Sequence, residues 1–194
     1  NLKLSEERLD ALMALPQEYR PDTNETVAPN LDTGIVLENI TVNRGESDVP
    51  VLGNISLEIP AGSIVVVTGA AGSGQSTLLD LMAGLTRPDA GRLLIDGIDS
   101  DHIDMRSFRG KIGFARENMV LFRGTVLDNL TTFQGRSALP MAIDGAHSLA
   151  LDEVIARMPN GLQTKVGDTA SDSLAGSIKQ LIALVRAFAG EPRL

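Results

Sequence analysis

Residues 63–77, SIVVVTGAAGSGQST, restrict the possible folds more than any other stretch of the chain. The first six, SIVVVT, form a β-branched run with no polar face, the pattern of a strand buried on both sides. A glycine-rich turn follows, and helical periodicity takes over from about Ser76 to Leu85. A buried strand that passes through glycines into a helix predicts a layered α/β arrangement. The glycines let successive backbone N–H groups converge on one concavity, and a helix N-terminus adds partial positive charge there. The candidate phosphate-binding residues are Gly69, Ala70, Ala71, Gly72, Ser73, Gly74, Gln75, Ser76 and Thr77. Ser76 occupies the position from which a hydroxyl coordinates Mg²⁺ in such loops.

The pattern G-x-x-x-x-G-K-[ST] is met at every position but one, because Gln75 stands where the lysine belongs. Losing a charge-assisted contact to phosphate removes about 1.5–3 kcal/mol, a roughly ten- to hundredfold change in affinity. Glutamine still donates a neutral hydrogen bond, but it cannot balance charge on a departing phosphoryl group. Chemistry is therefore expected to suffer more than binding. Taken alone, the loop is also compatible with a ligand-free strand-to-helix turn.

The rest of the chain supplies the layers. Segments IVLENITV, from Ile35, and VLGNISLEI alternate apolar and polar positions, as strands with one solvated face do; NRGESDVP between them reads as a turn. GRLLIDGIDSDHI predicts a hairpin strand and a loop, and KIGFA (residues 111–115) a further buried strand. Helical patterns lie in VLDNL, in AIDGAHSLALDEVIARM and in SIKQLIALVRAF, the last stopped by Gly190, Glu191 and Pro192. Residues 1–20 carry an amphipathic helical pattern through Leu4, Leu9, Leu12 and Leu15, capped by Ser5 and ended at Pro16, and residues 21–34 read as a linker.

Composition narrows the function classes. Apolar residues make up 43% and charged residues 22%, an ordinary globular balance. The net charge of −8 argues against a surface that tracks a nucleic-acid backbone, so no nucleic-acid partner is expected. Without cysteine there is neither disulfide nor thiolate chemistry, and His102 and His147 lack metal-ligand spacing. No stretch approaches the roughly 20 apolar residues of a membrane-spanning helix. The chain starts at Asn1 with no signal-peptide pattern and reads as a cut or processed piece of something larger.

Several segments at matching spacing now carry a resemblance. PVLGNISLEIPAGSIVVVTGAAGSGQSTLLDLMAGLTRPDAGRLLIDG resembles the opening of an ABC transporter ATP-binding domain, and KIGFARENMVLFRGTVLDNL the segment around its Q-loop, in the exporter branch. MPNGLQTKVGD and LAGSIKQLIALVRAFAGEPRL resemble the run through the signature helix. The resemblance implies an α/β P-loop NTPase core of the ABC ATPase type with an antiparallel β subdomain and a helical subdomain. It implies a core over residues 35–117, a helical subdomain over 118–175 and a signature helix over 176–190. Residues 1–34 would be a helix and linker from a preceding membrane domain. ATP and Mg²⁺ are the implied cofactors, and a second nucleotide-binding domain and a membrane-spanning domain the implied partners, at the cytoplasmic face of a membrane.

Four positions depart from the family pattern. Arg44 falls where an aromatic stacks on adenine, and a guanidinium stacks less firmly. Gln75 replaces the lysine. Glu117 sits at the Q-loop glutamine, where a carboxylate could still meet a metal. The signature LSGGQ becomes Leu174, Ala175, Gly176, Ser177 and Ile178. By resemblance, the strand carrying the Mg²⁺-binding aspartate and catalytic glutamate would follow Leu194, so no catalytic residue is assigned and the domain is expected to be incomplete at its C-terminus. The expectation is a degenerate half that binds ATP weakly, hydrolyses little or none and pairs with an intact, different half. Two other readings stand beside it: an active ATPase completed by further chain, and an assembly surface that binds no nucleotide. Absence of a central strand would expose apolar surface and make stability marginal or partner-dependent.

Overall fold

The computed structural model describes residues 29–44, 49–116, 119–132, 137–167 and 174–194. The expected N-terminal helix, most of the linker and the tip of the turn between the first two strands lie outside the described residues.

A four-stranded antiparallel sheet is built around β1 (Gly34–Val42). It pairs with β2 (Leu52–Pro60) on one side and β3 (Ala90–Ile95) on the other, and β4 (Ile98–Asp99) closes the order β2-β1-β3-β4. Ile35 and Leu37 face the core, but so do Ile40 and Val42, which have the opposite parity. The switch is made at Asn39, which takes φ 51 where the register with both neighbours shifts. A bulge inserts one residue and returns the later side chains to the buried face. Gly91 sits under it with φ 87, and any Cβ there would strike the Glu38 carbonyl at 2.4 Å. Asp96 and Gly97, both at positive φ, form the two-residue turn into β4, as a D-G hairpin does.

Helix α1 (Gln75–Met82) and the short α2 (Met105–Arg109) complete this core. Leu81, Phe108, Ile35, Leu37, Ile40 and Ile95 are essentially inaccessible within it. A second core belongs to a helical layer. It contains α3 (Val126–Leu130), α4 (Leu139–Ser148), α5 (Leu151–Ala156) and α6 (Gly176–Phe188). A two-stranded ribbon of β5 (Gly124–Thr125) and β6 (Lys165–Val166) borders it. The helical pattern over residues 142–158 is broken where Ala150 adopts φ 52, so α4 and α5 form a corner rather than one rod. Val126, Leu130, Leu151, Ile182 and Val185 fill the middle. The α6 pattern was legible, because its apolar positions recur at helical spacing and buried Ile182 and Val185 lie on one face.

Two expected strands are corrected. Residues 63–68 are not a strand buried on both sides: they pair with no strand among the described residues, and Ile64 is 96% exposed and Val66 78%. A β-branched run encodes the preference for sheet, but a strand exists only when neighbours take its N–H and C=O groups. Residues 111–115 likewise form no strand. They make a short run of backbone bonds instead, Gly113 N–H to the Leu194 carbonyl at 2.8 Å and Arg193 N–H to the Lys111 carbonyl at 2.7 Å. Gly113 lies so close to the end of α6 that a Cβ would meet the Ala187 carbonyl at 2.6 Å.

Candidate functional site

The loop over residues 69–74 is fixed from below by the sheet. Gly74 caps α1 in the left-handed region at φ 88, and a Cβ on it would meet both the Val51 carbonyl and a Leu52 methyl at 2.8 Å. Only glycine fits that approach without strain. Gly72 also takes positive φ, and a Cβ on Gly69 would fall 2.5 Å from the Ser73 hydroxyl. The loop tightens on itself through the Ser73 N–H to Ala70 carbonyl bond at 3.1 Å, and α1 begins with Leu78 N–H to Gly74 carbonyl at 2.8 Å. Ala70, Ala71, Gly72, Ser73 and Ser76 are exposed, while Thr77 is buried in the core. The concavity therefore opens to solvent and is lined by backbone and small side chains.

Gln75, at the first turn of α1, directs its amide backwards, with Nε2 donating to the Val67 carbonyl at 3.4 Å. The residue that replaces the lysine thus helps hold the segment that feeds the loop.

Arg44 does not stand as a free platform. Its guanidinium reaches Asp80 on α1 at 3.5 Å, and Arg116 takes the other oxygen of the same carboxylate at 2.5 Å. Arg116 also lies over the Phe114 ring, 5.1 Å from its centroid. The Asp80 side chain is only 11% exposed, whereas the arginines are each more than half exposed. The backbone next to Arg44 is anchored by the Asn43 N–H bond to the Asp89 carboxylate at 2.6 Å. Sequence reading passed over Asp80 and Arg116. The available signal was an acidic residue four positions beyond Ser76, on the face a helix turns toward its own N-terminal loop.

Glu117 lies outside the described residues. Of the signature-like positions, Ala175 is the N-cap of α6 without a side-chain cap, Gly176 and Ser177 are exposed, and Leu174 and Ile178 pack against the helical core. The phrase LFRGT, read in the sequence only as a resemblance, has a structural basis in Asn129. Fully buried, Asn129 receives the Phe122 N–H at 2.7 Å and donates to the Phe122 and Thr125 carbonyls, both at 2.9 Å. Thr125 and Asp128 add a reciprocal capping box to α3. His147 is exposed and paired with Asp152 at 2.8 Å, and among the described residues no acidic or histidine cluster forms a metal site.

A glycine loop seated on a helix N-terminus, beside an antiparallel sheet and a separate helical layer, defines an α/β P-loop domain of the ABC ATPase type. The chain belongs to the ABC transporter family, whose sequence model matches residues 52–194. It is 33% identical over 175 residues to an ATP-dependent lipid A-core flippase of Thiobacillus denitrificans, covering 90% of this chain and 30% of the flippase. It is 36% identical over 147 residues to the mycobactin import ATP-binding/permease protein of Mycolicibacterium smegmatis, covering 76% of this chain and 25% of that protein. A solved bacterial Atm1-family ABC exporter with ATP bound superposes with a TM-score of 0.86 at 27% identity, over 97% of this chain and 33% of that one. The chain therefore spans about a third or less of the length of these relatives. The domain is of exporter type, and nucleotide binding is the property this family implies. Among the described residues, no helix is long and apolar enough to cross a membrane.

Proposed function

We propose that this chain is the ATP-binding domain of an exporter-type ABC transporter, that it holds Mg-ATP weakly at residues 69–77, and that it contributes little or no hydrolysis. The observation that supports this most is the loop itself. A Cβ on Gly69 would strike the Ser73 hydroxyl within the loop, one on Gly74 would strike Val51 and Leu52 beneath it, and Gly72 and Gly74 take the positive φ that curls it. Those features suit a nest of backbone N–H groups for phosphate oxygens, which binds through main chain whatever the side chains are.

In this reading the N–H groups over residues 69–76 would hold the phosphate chain, and the exposed Ser76 hydroxyl would be a magnesium ligand. Magnesium supplies charge neutralisation to the phosphates when bound. Gln75 does not contribute the missing charge, because it is neutral and its amide is turned to Val67. The signature-like end of α6, from Leu174 to Ile178, keeps an open helix N-terminus with Gly176 and Ser177 exposed, but without the serine hydroxyl, the second glycine and the glutamine. A partner domain with an intact set is the consistent complement, and a membrane-spanning domain would place the assembly at the cytoplasmic face. Glu117 would lie beside the metal, and residues 35–117, 118–175 and 176–190 would act as core, helical subdomain and signature helix.

Calorimetric titration with Mg-ATP, native against Gln75→Lys, tests the reading. Binding in both is expected, about ten- to hundredfold tighter with lysine, with turnover by the native chain at background. Absence of binding in both, with circular dichroism showing folded protein, would replace it with an assembly surface that takes no nucleotide. Robust turnover by the native chain would restore the active ATPase. Co-purification from native membranes reports whether the partner is a different chain.

A further inference from the structure

Gln75 removes a positive charge from the phosphate loop, and the described residues around α1 put two back nearby. Asp80 follows Ser76 by four residues, so the two share one face of the helix, and side chains on a helix lean toward its N-terminus. Asp80 is thereby aimed at the turn that carries Ser76 and the end of the loop. Its two oxygens are taken by Arg44, two residues beyond β1, and by Arg116, which follows residues 111–115. Two guanidiniums share one carboxylate, so Arg44, Asp80 and Arg116 together carry one net positive charge, with the Asp89 carboxylate held on the backbone beside Arg44. Both arginines have half or more of their side chains open to solvent, so they remain available to a ligand while tethered. Each is also restrained from a second side. Arg116 lies over Phe114, and Asp89 fixes the backbone from which Arg44 projects.

We propose that Arg44 and Arg116, gathered by Asp80, act as a displaced counter-charge for the phosphate chain in place of the loop lysine. The inference rests on the phosphate-site reading above and deepens it. A charge a helical turn away attracts an anion without touching the transferred group, so the arrangement suits binding rather than phosphoryl transfer. Arg44 is then a contributor to the phosphate field rather than a base-stacking platform.

The test uses magnesium tripolyphosphate, which carries the charge of the nucleotide and no base. Binding is measured to the 194-residue chain, to Arg116→Gln, Arg116→Lys and Arg44→Gln, and to the charge-moving pair Arg116→Gln with Gln75→Lys. Thermal unfolding is followed for each. Arg116→Gln and Arg44→Gln are each expected to weaken binding about fivefold at low salt, with the loss shrinking at about 0.5 M salt as the field is screened. Arg116→Lys keeps native affinity, and the charge-moving pair binds at least as tightly as the native chain. The proposal is overturned if glutamine at either arginine leaves affinity unchanged. It is equally overturned if Arg116→Lys falls as far as Arg116→Gln, or if the loss is insensitive to salt, since each result would mark a packing role. If no chain binds tripolyphosphate, Gln75→Lys included, the phosphate site itself fails and this inference falls with it. Binding that ignores both arginines removes only the counter-charge.

Discussion

The carboxylate of Asp96 accepts the backbone N–H of Thr33 at 2.7 Å and its hydroxyl at 3.0 Å, and so locks the turn after β3 to the residue before β1. The N–H groups of Asp32 and Gly34 converge on the same carboxylate at 3.0 Å. Burial pushes this carboxyl up, but the hydrogen bonds from Gly34, Thr33 and Asp32 outweigh it and hold the pKa at about 2, against 3.8 for a free side chain. The strand that organises the whole antiparallel sheet is thereby started by one ionised group.

Because the folded value lies below the unfolded one, the ionised state stabilises the fold at pH above 3.8, and this contribution disappears as pH falls toward 2. Asp96→Asn is expected to lower stability at pH 7 by about 1–2 kcal/mol, a figure reduced for the partial exposure of the group. The difference from the native chain should narrow between pH 4 and pH 2. Denaturant unfolding at several pH values measures it, and a constant difference across that window would contradict the assignment.

Asn129 makes three side-chain hydrogen bonds to the 122–125 turn ahead of α3. Asn129→Ala removes all three of these hydrogen bonds from the helical core, at a cost of about 2–4 kcal/mol. Equilibrium unfolding should show the loss, and hydrogen exchange should place it in the helical layer rather than the sheet.

Gly74→Ala introduces a methyl group within 2.8 Å of the Val51 carbonyl at a φ of 88. About 1–3 kcal/mol of destabilisation is expected from strain and contact together. Mg-ATP binding should fall further than stability does, because the capping residue of α1 sets the direction of the loop N–H groups. Gly72→Ala has nothing within 4 Å of the new Cβ. It should be limited to the backbone term of about 1 kcal/mol.

Ile64 and Val66 present their side chains to solvent from a segment without strand partners among the described residues. Ile64→Ser is expected to change unfolding free energy by no more than about 0.5 kcal/mol. It should also reduce dye binding and aggregation, since exposed β-branched runs invite edge-to-edge association. A large loss of stability in the isolated chain would show that the side chain is buried in solution.

What the sequence determined by itself was everything local or periodic. The glycines of residues 69–74, the alternation in β1 and β2 and the spacing of apolar residues in α6 each encode a conformation through sterics or through one buried face. The order of several such segments was enough to identify the family. Contacts between residues distant in sequence were decided only by tertiary structure. Nothing local in β1 announces that Asn39 bulges, because the bulge depends on Gly91 beneath it. Arg44 read as a solitary guanidinium near a base, yet its environment is set by Asp80, thirty-six residues away, and by Arg116 beyond. Residues 63–68 show the same limit from the other side: β-branched side chains state a preference, and only neighbouring strands, which must take up the backbone N–H and C=O groups, can turn that preference into a buried strand.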